Sequence, residues 1–197
     1  MSPRPRVLPG LVISLAMLAL GAVAGCHKVK TPAEAYKRLA TAVNAGDGGA
    51  LFDVLDQETR WNWMSIQKFH REAYDIVLSN YPEGEIRERE TRRFEHAATA
   101  SSARDLFIKD AAPAVLPMLR PLVMAEAPIQ EGPTPDEAAA VLASGARVEF
   151  RRGKSGGWGY AGLAKRAEDD KNRAWHDLEA VRASAADFER AAARAGK

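Results

Sequence analysis

The chain has 197 residues, with 28 lysines and arginines against 26 aspartates and glutamates, a formal net charge of +2. Nucleic-acid binding needs a basic excess to neutralise phosphates, and this balance does not supply one. A single cysteine excludes an internal disulfide and a cysteine-built metal site, so packing must hold the fold together.

Arg4 and Arg6 precede an uncharged run from Val7 to Gly25 that closes on small residues, which is the order of a secretory signal. The run is 19 residues long, close to the roughly 20 that span a bilayer, so an uncleaved anchor is the competing reading. Pro9, Gly10, Gly21, Gly25 and the position of the sole cysteine weigh against it. The close of the run, Val23-Ala24-Gly25-Cys26, resembles the lipobox of bacterial lipoproteins. That resemblance implies removal of 1–25 as a signal peptide, acylation of the Cys26 thiol with palmitate-type chains, and a lipid-anchored protein of the cell envelope. His27 stands where the family's inner-membrane retention signal is an aspartate, which implies the outer membrane, facing the periplasm. Without 1–25 the chain holds 26 basic and 26 acidic residues.

Residues 26–30 make a short tether, with Lys28 and Lys30 at head-group level. One α+β domain is expected over 31–197, with helices over 31–110, strands over 122–163 and a terminal helix over 165–194. Thr31-Pro32-Ala33-Glu34 offers an N-cap threonine, a proline at the first helical position and a glutamate to complete a capping box. The helix it opens reaches Asn44 and buries Tyr36, Leu39, Ala40 and Val43. Asp47 caps a second short helix through 51–55, and Asp56 caps a third over 57–80. In that third helix Trp61, Met64, Ile66, Phe69, Ala73, Ile76 and Val77 recur at threes and fours as its core face. The block 85–96 pairs Glu85 with Arg89 and Glu88 with Arg92, a solvated helix face.

Ser101 or Ser102 caps a short helix carrying Leu106, Phe107 and Ile108, and Pro113, Pro117 and Pro121 argue against a long helix over 112–122. Beyond Pro121 the pattern turns to strands at 122–129, 138–143 and 147–151, the last burying Val148 and Phe150 by strict alternation. After the turn at 153–157, Trp158, Tyr160 and Gly162 share one face of a returning strand. In the terminal helix Ala174, Leu178, Val181, Ala185, Phe188 and Ala192 form a heptad-type seam. Its partner is the chain's own core or another chain, so an oligomer through residues 174–192 is one expected outcome.

Thr31-Pro32-Ala33-Glu34-Ala35-Tyr36, with Ala42, Gly46-Asp47 and 51–55 behind it, resembles the start of NTF2-like lipoproteins, and the hairpin ending Gly156-Gly157-Trp158 resembles that superfamily's closing strands. The proline stretch 113–121 and the terminal helix depart from it. The resemblance implies a small curved antiparallel sheet wrapped on a long helix, a cone with an apolar pocket. That superfamily holds isomerases, dehydratases and non-catalytic binding domains, so fold alone does not select among them.

Trp61, Trp63, Trp158 and Tyr160 are candidate pocket aromatics, with core filling as the simpler account. His70 and Tyr74 lie four apart on the long helix with Asp75 beside them, and such a group facing an apolar pocket can move a proton alpha to a carbonyl. Gly153-Lys154-Ser155 lacks a P-loop's first glycine, since Val148 stands there. His27, His70, His96 and His176 are scattered, so neither a metal site nor a cofactor is called for. The sequence therefore points to a lipid-anchored envelope protein that binds a small apolar ligand or an envelope protein without catalysis. The alternatives are an isomerase or dehydratase using the same pocket, and a structural component that oligomerises through its last helix.

Overall fold

The computed structural model describes residues 28–123 and 126–195. The expected signal peptide and the lipidation site Cys26 lie outside the described residues. Each of the first three helices starts on a side chain that accepts from the free N–H groups of its first turn. Thr31 accepts from Glu34 N at 3.1 Å and opens α1 (Pro32–Ala45). Asp47 accepts from Gly49 N and Ala50 N and opens α2 (Gly48–Val54), and Asp56 accepts from Thr59 N and opens α3 (Gln57–Asn80). The Glu34 carboxylate does not close the capping box on Thr31, because it accepts instead from Lys30 N at 3.0 Å. Gly46 ends α1 at φ 65°, a left-handed conformation that glycine takes without strain.

α4 (Glu85–Thr99) folds back along α3 and is fastened at its end by Gln67 and Arg71, which donate to the carbonyls of Ala98 and Ala100. Of the two expected ion pairs on α4, Glu88–Arg92 forms at 3.8 Å, whereas Arg89 turns to Glu90. α5 (Ala103–Asp110) starts on Ser102, and α6 (Ala112–Leu119) follows at once, running into a 3-10 turn at Arg120–Leu122. The helical region thus extends to 122 rather than 110. Pro113 sits in the first turn of α6, where a missing N–H breaks no bond, and eight residues are short enough to carry Pro117.

The strand expected over 122–129 shrinks to β1 (Ile129–Glu131), which begins only after Pro128, a residue with no N–H for a ladder. β1, β2 (Glu137–Val141), β3 (Arg147–Arg152) and β4 (Trp158–Tyr160) make one open antiparallel sheet in that order. Ala140 lies opposite Val148, Ala138 opposite Phe150, and Phe150 opposite Tyr160. These residues form the buried face, which packs on α1, where the Tyr36 ring meets Phe150 edge-on at 6.3 Å. The helix under the sheet is therefore α1, and the long α3 meets the sheet only around its first turn. Asp56, 2% exposed, makes that joint: its N–H donates to Tyr160 O at 3.0 Å and its second carboxylate oxygen accepts from Arg151 at 3.4 Å. Gly159 is required there, since a Cβ would lie 2.5 Å from the Asp56 backbone. Gly162, expected on the returning strand, lies after its end, against the Tyr160 hydroxyl.

α7 (Ala164–Ala195) runs beside α3 in the same direction. Phe69 meets Trp175 at 5.2 Å, Arg182 donates to Glu72, and Asn80 donates to Glu189 at 2.7 Å. The seam residues Ala174, Leu178, Val181 and Ala185 are buried, with Phe188 edge-on to Tyr81 at 4.9 Å. Ala192 extends past the end of α3 and is exposed. The buried part of the seam, Ala174 to Ala185, is thus covered by the chain's own α3 and by Phe94 of α4. Among the described residues no helix is long and apolar enough to cross a membrane.

Candidate functional site

The phase of α3 decides what can form a site. Its buried residues are Thr59, Asn62, Trp63, Ile66, Ala73 and Val77, a stripe that begins on two polar side chains. An apolar count therefore sets the core face askew. Trp61 and Met64, expected inside, are 49% and 56% exposed. At about 100° per residue Trp61 and Trp63 point to nearly opposite sides of the helix, so only one of the two could enter the core. Trp63 does, meeting Phe107 edge-on at 5.3 Å.

Trp61 and Met64 instead form part of the floor of an open groove of about 1060 Å³ along the outer face of α3. Ser101 to Arg104 at the start of α5 and Phe52 of α2 make one wall, and Gln57 with Ser155 of the β3–β4 turn closes the near end. Four cations line it. Arg71 is occupied by the end of α4 and Arg104 by the Asp53 carboxylate, whereas Arg60 and Lys68, two helical turns apart with Met64 between them, have no hydrogen-bond or ion-pair partner among the described residues. Towards the far end lie Glu72, paired with Arg182, and Asp75. The groove can grip an extended apolar group between two free positive charges. Sequence reading missed it because Arg60, Met64 and Lys68 carry no motif. The one available signal was the two-residue spacing of Trp61 and Trp63.

His70 lies on another side of α3, in a crevice of about 300 Å³ bounded by Trp63, Ala97, Leu106, Arg173 and Asp177. Its ring is edge-on to Phe94 at 5.7 Å, and Nδ1 is buried without a hydrogen-bond partner. Burial holds the imidazole pKa below its ordinary 6.5, with Arg93 adding to the shift and Asp177 and Asp110 opposing it. Tyr74 packs against the cluster of Ala73, Val77, Phe94 and Leu178. Asp75 opens onto the groove and His70 onto the crevice, so the expected acid–base group does not converge on one cavity.

The remaining candidates belong to the sheet. Tyr160 is buried against Phe150, and burial together with the charge of Glu149 pushes its phenol up to about 12. Trp158 is half-buried against the main core. Trp61, His70, Tyr74, Trp158 and Tyr160 therefore do not line a common pocket, and only Trp61 stands in the groove. Among the described residues no three His, Cys, Asp or Glu side chains come together as a metal-binding group. No protein-family model, curated protein or solved structure matches this chain.

Proposed function

We propose that this protein is a lipid-anchored binding module of the bacterial cell envelope, held at Cys26 on the periplasmic side of the outer membrane, that grips an apolar, acidic segment of a protein partner in the α3 groove. The observation that carries the binding role is the groove's combination of exposed Trp61 and Met64 with unpartnered Arg60 and Lys68. A long open trough suits a chain segment better than a small ligand, which a closed pocket would surround. A role without catalysis is supported by His70 and Asp75 lining different cavities. The anchor rests on the lipobox, and kinship with NTF2-like lipoproteins rests on the opening motif of 31–55 and the closing hairpin.

The binding role is tested by titrating the full chain with an amphipathic peptide bearing acidic residues along one side, and with the same peptide bearing lysines. The acidic peptide is expected to bind and shift the emission of Trp61. Replacing Arg60 and Lys68 together by glutamine should weaken it about tenfold, two exposed charges at a few tenths to one kcal/mol each. Equal binding of the lysine peptide, or an unchanged emission shift in Trp61→Phe, would rule the groove out as the binding surface.

A further inference from the structure

The residues that follow the proposed anchor are pinned to the fold. Val29 O accepts a hydrogen bond from Trp158 N at 3.0 Å, so the tether lies along the outer edge of β4. Lys28 lies over the β3–β4 turn, its side chain 3.0 Å from where a Gly156 Cβ would stand and 3.4 Å from that of Gly157. Cys26 is two residues earlier, a reach of about 7 Å at full extension. An acylated Cys26 would therefore leave this end of the molecule almost no slack above the bilayer.

This same end carries free positive charge. Lys28, Lys30 and Lys154 are exposed, and none has an ion-pair partner among the described residues. Of the acids at this end, Glu34 pairs with Arg38, Glu58 with Arg151 and Asp136 with Arg152, while Glu131 and Glu137 beside the β1–β2 turn have no ion-pair partner among the described residues. The turn sits on the start of α3, since a Cβ on Gly153 would meet the Gln57 side chain. α3 is 24 residues long, about 36 Å at 1.5 Å per residue, and beyond its far end the chain exposes Glu83, Glu85 and Ile86. One end of the long axis is thus tethered and carries three lysines without ion pairs, whereas at the other Glu83 pairs with Arg87.

We infer that the β3–β4 turn, with Lys28, Lys30 and Lys154, is seated on the anionic phospholipid head groups around the anchor, with α3 rising away from the membrane and its groove opening sideways. This rests on the proposed acylation of Cys26 and adds to it an orientation. A bilayer is the partner the charge favours, because an anionic surface attracts the lysines that lie beside the anchor. Seating also gives the groove its aspect. With α3 upright, the groove along its outer face is turned to the side rather than onto the lipid.

The test uses the acylated full-length product, purified from membranes and reconstituted in vesicles of equal parts phosphatidylglycerol and phosphatidylethanolamine with a trace of head-group nitroxide lipid. With Cys26 acylated, Ser155→Cys, Asp75→Cys or Ile86→Cys each supplies a single free thiol for a fluorophore. Strong quenching is expected at 155 and little at 75 and 86. Each lysine contributes about fivefold, so replacing Lys28, Lys30 and Lys154 by glutamine should shift the seated-to-free ratio about a hundredfold and bring position 155 down to the level of 86. The same loss is expected in purely zwitterionic vesicles. Equal quenching at 155, 75 and 86 on an acylated chain overturns the orientation alone, because it means a molecule tumbling on its anchor or lying flat. A mass showing an unacylated chain overturns the anchor and the orientation together.

Discussion

The two ends of α3 are held in different ways. At its start a buried polar joint does the fastening: Asp56 caps the helix, bonds Tyr160 of β4 and meets Arg151 of β3, beside a core that includes Phe107, Phe150, Leu39 and Leu51. At its far end there is no sheet, and α3, α4 and α7 close on a small cluster of Ala73, Val77, Tyr81, Phe94, Leu178, Val181 and Ala185. Around it run ion pairs such as Arg93–Asp177 and Arg182–Glu72. One end resists by volume and by geometry that cannot shift, the other by a few rings and close-packed alanines. The sheet end should therefore fail all at once, and the helical end should open locally before it fails.

The heaviest blow to the sheet end is Phe107→Ala, which leaves a hole beneath Phe52 and Trp63. A loss of about 3–5 kcal/mol in denaturant unfolding is expected, with hydrogen-exchange protection falling throughout the domain. Leu178→Ala should cost about 2–5 kcal/mol, but with protection lost first along the C-terminal half of α7. Uniform loss in both variants would erase the distinction between the ends. Asp56→Ala removes a cap and leaves Arg151 to Glu58 alone, for about 2 kcal/mol by thermal unfolding.

His70 sharpens the contrast by pH. Its folded pKa is lowered, so the folded state favours the neutral ring. The stability this provides is complete above the unfolded value of 6.5 and is lost as pH falls through the folded value. Denaturant midpoints should decline on mild acidification, and His70→Gln should flatten that decline. An identical slope in the variant would mean the histidine is not responsible. The smallest effect belongs to Asp177→Asn, under about 1 kcal/mol and vanishing at high salt, since its pair with Arg93 is half-exposed.

The helices were readable because their ends are written in local chemistry. Thr31, Asp47, Asp56 and Ser102 each accept the first-turn N–H groups expected of them, and 57–80 is helical from end to end. Burial along α3 was less readable because Thr59 and Asn62 occupy inward positions that hydrophobic counting ignores. The start of the sheet was misplaced because apolar residues around Pro121 fit a 3-10 turn as well as a strand. The groove was invisible for a different reason. It depends on which cations find acceptors across the fold, and only the assembled chain shows that Arg71 and Arg104 are taken while the Arg60 and Lys68 side chains have no partner among the described residues.

The proposed envelope role and the inferred orientation on lipid both rest on acylation of Cys26. The most direct measurement is therefore the intact mass of the protein extracted from the membranes of the cells that make it. The account predicts a chain beginning at Cys26, with residues 1–25 gone and the mass of acyl chains added at that cysteine. A chain that retains residues 1–25, or one that carries a free Cys26 thiol, would contradict it.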